Sequence, residues 1–130
     1  MIPPWIMGAG MNAVPVLLFF TGTICLGLWL GMEYLRRVRS RPVMIGMHAL
    51  LGAGGLEVMV MLLRGAPDGT TLPGTALMRA AALLLLLAMM SGLLAPMIGR
   101  RSRRTMNVAL VAHVGVAATG FVLFLAMMLV

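Results

Sequence analysis

The chain has 130 residues, 62% of them hydrophobic and 10% charged, a balance that excludes a water-soluble fold. Its formal charge of +7 comes from ten basic residues, all arginine, and a single cysteine, Cys25, excludes an intrachain disulfide. Cys25 is expected to pack as a small apolar residue. So basic a chain raises nucleic-acid binding, but the arginines sit in short runs between long apolar segments. That pattern points to a membrane and leaves nucleic acid without support.

Residues 1–12 contain Pro3, Pro4, Trp5, Gly8 and Gly10, a composition that suits a non-helical lead-in with Trp5 at the outer headgroup level. Four apolar stretches follow, about residues 13–35, 43–63, 77–98 and 107–130. Each reaches the ~20 residues that a helix needs to cross the hydrocarbon core. Helices satisfy their own backbone hydrogen bonds in lipid, and the apolar–polar alternation of barrel strands is absent. The expected fold is all-α: one integral membrane domain built as a bundle of four transmembrane helices. The first stretch reads as a span and not as a cleaved leader, because no basic residue precedes it and basic residues follow it.

Near the end of the first span, Glu33 lies three and four residues before Arg36 and Arg37, a spacing that allows ion pairing on one helical face. Pro42 suits the first turn of the second helix. The segment Gly65–Thr75 is rich in turn residues and short, so the second and third helices should be antiparallel neighbours. Thr105 is a candidate N-cap for the fourth helix. Arg36, Arg37, Arg39 and Arg41 fill the first loop, and Arg100, Arg101, Arg103 and Arg104 the third. The positive-inside rule places both loops in the cytoplasm and both termini outside, with the chain in the cell's cytoplasmic (inner) membrane. The same arginines would meet anionic lipid headgroups.

Overlaid at an offset of 65 residues, the two halves match at Gly27 and Gly92, Leu28 and Leu93, Met32 and Met97, Arg36 and Arg101, Arg39 and Arg104, Val43 and Val108, and His48 and His113. Ala53 and Gly55 likewise meet Ala118 and Gly120. The pattern is that expected of a tandem repeat of a two-helix unit, its halves related by a pseudo-twofold axis along the membrane normal.

His48 and His113 are the only histidines, and each falls six residues into an apolar run that starts at the arginine side. An ionisable side chain inside a bilayer reads as a functional site with a partner to be found. At ~1.5 Å per residue each lies roughly 9 Å in, so the two imidazoles can face each other across a bundle. Neutral imidazole ligates metals, and a b-type haem is held in many membrane proteins by two such side chains from different helices. Gly52 and Ala117 follow the histidines by four residues, Gly55 and Gly120 by seven. Small residues on that face leave room either for a porphyrin edge or for close helix contact. Arg36, Arg39, Arg101 and Arg104, on the same side of the membrane, could pair with haem propionates. The simplest alternative for each histidine is a hydrogen bond to a backbone carbonyl.

His48, His113 and their glycine neighbours make the chain resemble the bis-histidine membrane cytochromes, the cytochrome b561-like proteins in particular. The resemblance implies at most one b-type haem, held by His48 and His113 near the cytoplasmic face. It departs from the family in one respect: those proteins commonly hold two haems on two histidine pairs, whereas this chain has one pair, which argues against an electron relay across the membrane within a single copy.

Glu57 lies nine residues after His48, about 180° around the second helix, and so points away from any haem. A structural pair with Arg64 or Arg79 is the expected role, with a proton-accepting group at an outer quinol site as the alternative. Fifteen methionines raise the question of Cu(I), but no Met-x-Met-x-Met cluster or cysteine pair accompanies them, and methionine serves as flexible apolar filler. No phosphate loop, carboxylate pair or activated nucleophile is present to support hydrolysis. Two functions remain: an electron-transfer protein without independent catalysis, exchanging electrons with quinone or another membrane subunit, and a non-catalytic accessory subunit of a larger complex.

Overall fold

A computed structural model of the chain describes residues 4–65, 75–100 and 102–129, with side chains from residue 13 onward. The described residues form four helices and no strand: α1 (Pro4–Leu35), α2 (Pro42–Arg64), α3 (Ala76–Gly99) and α4 (Arg103–Leu129). Every one contains a stretch long and apolar enough to cross a membrane, the first beginning at Ala13. The chain is a multi-pass bundle whose outer faces contact lipid.

The helix ends follow local chemistry. Helix α1 starts earlier than its composition suggests, at Pro4, because a proline in the first turn lacks only an N–H that no helix would use. Residues 4–12 are therefore helical and not a lead-in; the side chain of Trp5, with its expected headgroup position, lies outside the described residues. At the other end of α1, the Arg37 N–H donates to the Tyr34 carbonyl (3.1 Å) and the Val38 N–H to that of Glu33 (2.9 Å), a Schellman closure with Arg37 in the left-handed region at φ 59°. This stop undoes the expected Glu33 ion pair, since Arg36 and Arg37 do not continue the helix. Trp29 Nε1 donates instead to Glu33 Oε1 at 3.1 Å, while Oε2 is buried without a partner.

Pro42 occupies the first turn of α2, as its position predicts. Thr75 caps α3, its side chain accepting from the Met78 N–H at 3.2 Å. For α4 the cap is Ser102, whose hydroxyl accepts from the Thr105 N–H at 3.1 Å and whose carbonyl accepts from the Met106 N–H. Thr105 sits inside the first turn and bonds the Ser102 hydroxyl at 2.6 Å, which corrects its expected role as the cap. Helix α4 thus begins at Arg103, one turn before its apolar run.

Helices α1 and α2 pack tightly as one hairpin and α3 and α4 as the other; the hairpins meet mainly along α2 and α3, and more thinly along α1 and α4. Helices α2 and α4 do not adjoin but lie diagonally across the bundle. The most buried large side chains, Val16, Phe20, Met59, Met78 and Phe124, gather toward the end that carries the termini. Phe20 bridges the hairpins there, edge-on to Phe121 and Phe124 with ring centres 6.2 and 6.0 Å away. Toward the arginine end, burial falls to the small side chains Ala88 and Ala95. The large buried side chains thus concentrate at one end of the bundle, and the histidines lie between them and the arginine end.

Candidate functional site

His48 on α2 and His113 on α4 reach across the bundle diagonal until their rings stand 6.1 Å apart, centre to centre, with planes inclined at 74°. Each ring is fixed by a contact inside its own hairpin. His48 Nδ1 lies 2.9 Å from the Thr23 carbonyl on α1, and His113 Nδ1 lies 2.8 Å from the Ala88 carbonyl on α3. A carbonyl only accepts, so Nδ1 carries the hydrogen in both rings. In the neutral imidazole Nε2 then holds the lone pair.

The carbonyls are reachable because of two glycines. In an α-helix the carbonyls of Thr23 and Ala88 already accept from residues four further on, Gly27 and Gly92. A side chain at those positions would lean back over the carbonyl. A Cβ on Gly27 would stand 2.9 Å from His48 Cε1, and one on Gly92 2.8 Å from His113 Cε1. Each glycine therefore opens the space that its imidazole fills. The sequence reading aligned these two glycines but gave them no role. A hydrogen bond to backbone carries no residue-type signature on the accepting side; the signal that could have found them is the recurring spacing of 21 residues from glycine to histidine.

The two halves differ around the rings in one respect. The Ser91 hydroxyl donates to the Ala88 carbonyl at 2.9 Å and lies 3.3 Å from His113 Nδ1, offering that N–H a second acceptor. Leu26 stands at the matching place in the first hairpin and offers none.

Both rings are half-buried. Among the described residues the single buried side-chain nitrogen or oxygen without a partner is Glu33 Oε2. Neither Nε2 makes a hydrogen bond to a described residue, so neither is sealed from its surroundings. Both rings thus keep Nδ1 bonded to a carbonyl of the neighbouring helix and Nε2 without a partner among the described residues, with 6.1 Å between the ring centres. Pinning the far nitrogen in this way is how proteins orient histidine ligands.

The other predicted site residues divide. A Cβ on Gly52 would meet Thr23 of α1 at 3.5 Å, one on Gly55 would meet Phe19 and Phe20 at about 3 Å, and one on Gly120 would meet Leu84 and Leu85 of α3. These three glycines let the helices of each hairpin close on one another; of the two readings left open for them, helix contact is the one the geometry favours. Ala117 is half-buried on α4. Arg36 is exposed just past α1, Arg39 and Arg104 are exposed at the same end, and Arg101 lies outside the described residues. Glu57, Arg64 and Arg79 are all exposed, and among the described residues no ion pair joins Glu57 to either arginine. Cys25, expected to pack inside, is exposed on α1.

A metal–nitrogen bond of about 2 Å on each side, plus roughly an ångström from each nitrogen to its ring centre, sets two coordinating imidazoles about 6 Å apart. The two ring centres stand at a comparable separation, 6.1 Å. No group of three or more potential metal ligands occurs among the described residues, so the pair suits a centre that brings its own remaining donors, as a porphyrin does. Comparison with family models, with curated proteins and with solved structures found no match, and the site is read from its own chemistry.

Proposed function

We propose that the chain is a membrane electron-transfer protein in which His48 and His113 would hold one b-type haem between α2 and α4. One observation carries the reading: two imidazoles converge from diagonal helices at 6.1 Å, each with Nδ1 fixed to a backbone carbonyl and Nε2 left for a ligand. When bound, the haem supplies a one-electron redox couple. The chain's own residues would hold the two imidazoles in place, through the carbonyls of Thr23 and Ala88. Arg36 and Arg101, with Arg104, would be the cations for its carboxylates. The electron partner on this reading is a quinone or another membrane subunit, and the arginine end faces the cytoplasm.

The purified chain, supplied with haem, should show a Soret band whose position shifts on dithionite reduction. His48→Ala and His113→Ala should each remove at least one axial ligand and abolish the low-spin spectrum. A folded protein that takes up no haem, or a spectrum indifferent to both substitutions, overturns the proposal.

Glu57 favours a second reading, that of an accessory subunit. It is exposed on α2 within the span, where lipid is a costly neighbour for a carboxylate. A polar group on an adjoining membrane subunit would satisfy it. Glu57→Leu should then release the chain from that subunit in mild detergent and leave the optical spectrum unchanged.

A further inference from the structure

At the arginine end, Tyr34, Arg37, Arg39 and Arg103 line an open groove of about 410 Å³, with Val38 and Met106 as its apolar walls. Its cations come from separate segments: Arg37 and Arg39 from the turn after α1, and Arg103 from the first turn of α4. No acidic side chain lines it. The nearest acid in sequence, Glu33, accepts from Trp29 through one oxygen and buries the other. Three arginines therefore line one groove with no acidic side chain among its lining residues, a cluster that an anion would complement.

Two of the groove's parts are held in place. The Arg103 guanidinium stands 5.9 Å over the Tyr34 ring, and the Tyr34 hydroxyl donates to Asn107 Oδ1 at 2.6 Å. Arg37 keeps φ 59° at a helix stop where glycine is the favoured residue. A charged side chain is thus retained in the groove at a backbone position that disfavours it. The groove also sits where the membrane-length helices α1 and α3 end and α4 begins, the level at which a span gives way to headgroups, and Val38 and Met106 give it apolar walls.

We propose that this groove binds the phosphate of an anionic glycerophospholipid, the three guanidinium groups holding the headgroup and Val38 and Met106 lying against the glycerol backbone. The proposal does not depend on haem, and its test reads the two separately. The full chain is exchanged into detergent with equal amounts of phosphatidylglycerol and phosphatidylethanolamine, and bound lipid is counted by native mass spectrometry. The wild type should retain phosphatidylglycerol in preference to the zwitterionic lipid. Arg37→Gly and Arg103→Gln should each lower that occupancy about fivefold. Arg64→Gln and Arg79→Gln, at the opposite end, should leave it unchanged.

Arg37→Gly guards against misfolding as an explanation, because glycine suits the left-handed position and should preserve the fold. Equal retention of the two lipids, or occupancy unmoved by both groove variants, overturns the proposal. Displacement of the lipid by millimolar inorganic phosphate does so as well, since it would mark a site for small anions. Soret absorbance lost in the groove variants with lipid occupancy unchanged would instead assign these arginines to porphyrin carboxylates, and again overturns it.

Discussion

Gly27 and Gly92 decide whether the imidazoles can reach their carbonyl partners. A methyl at either position would come within 3 Å of a ring carbon, and the ring, fixed on its far side by a hydrogen bond, has to give up that bond to move. Gly27→Ala and Gly92→Ala should therefore each destabilise the bundle by about 1–3 kcal/mol, the usual cost of overpacking, and lower haem uptake. Gly46→Ala and Gly115→Ala are the comparison: nothing lies within 4 Å of either added carbon, so both should be neutral or slightly stabilising. Thermal unfolding in detergent together with the optical spectrum checks all four. Equal effects in the two groups would mean that the glycines do not set the imidazole positions.

The same residues show what could be read without coordinates. His48 and His113 stood out because an ionisable group inside an apolar run has few innocent explanations. Their equal depth followed from counting residues, and the ring separation bears it out. Gly52, Gly55 and Gly120 leave two readings open in the sequence, room for a porphyrin edge or close helix contact, because a glycine has no side chain whose direction can be inferred. The structure turns them toward the partner helix of their own hairpin. Glu33 was assigned to arginines because helical spacing was carried past a helix end that no glycine or proline announces; Arg37 makes that turn in glycine's place.

At the scale of the helices, apolar length alone was enough to place four spans, because lipid allows few other solutions. The ends were harder. Between Arg101 and Asn107 the chain offers two hydroxyl residues, Ser102 and Thr105, and a composition cannot say which precedes the first helical turn. Ser102 does, so Ser102→Ala should cost about 1 kcal/mol and loosen the first turn of α4, while Thr105→Ala should cost a few tenths. Hydrogen exchange at residues 103–106 is the direct measurement; faster exchange in the Thr105 variant than in the Ser102 variant would reverse the assignment. The loosening matters beyond the helix itself, because Arg103 of that turn stacks on Tyr34 and helps to link α4 to α1.

Across the whole molecule, contacts recur at the 65-residue offset: Gly27 with His48 and Gly92 with His113, Gly55 against Phe19 and Phe20, and Gly120 against Leu84 and Leu85. We take this correspondence as support for a duplicated hairpin. The hairpins pack more tightly within themselves than against each other. What joins them is the cluster around Phe20 and Phe124 at the end bearing the termini. Stability and ligand binding should then separate along the membrane normal. Phe124→Ala empties a site that is fully buried and should cost about 2 kcal/mol, less than the ~3–5 kcal/mol of soluble cores because lipid is itself apolar. Haem uptake per folded molecule should stay unchanged.

The charge distribution orients this two-ended molecule. The seven described arginines of the first and third loops lie at the histidine end, against Arg64 and Arg79 at the other. Translocating that many cations is unfavourable, so the histidine end should face the cytoplasm. In a Cys25→Ser background, Ser40→Cys should react with a membrane-impermeant maleimide only in inverted vesicles, and Thr71→Cys only in intact cells with a permeable outer layer. The reverse labelling would put the arginine end of the bundle, with its basic groove, on the outer side. A cytoplasmic leaflet rich in anionic lipid could then no longer be the groove's source of headgroups.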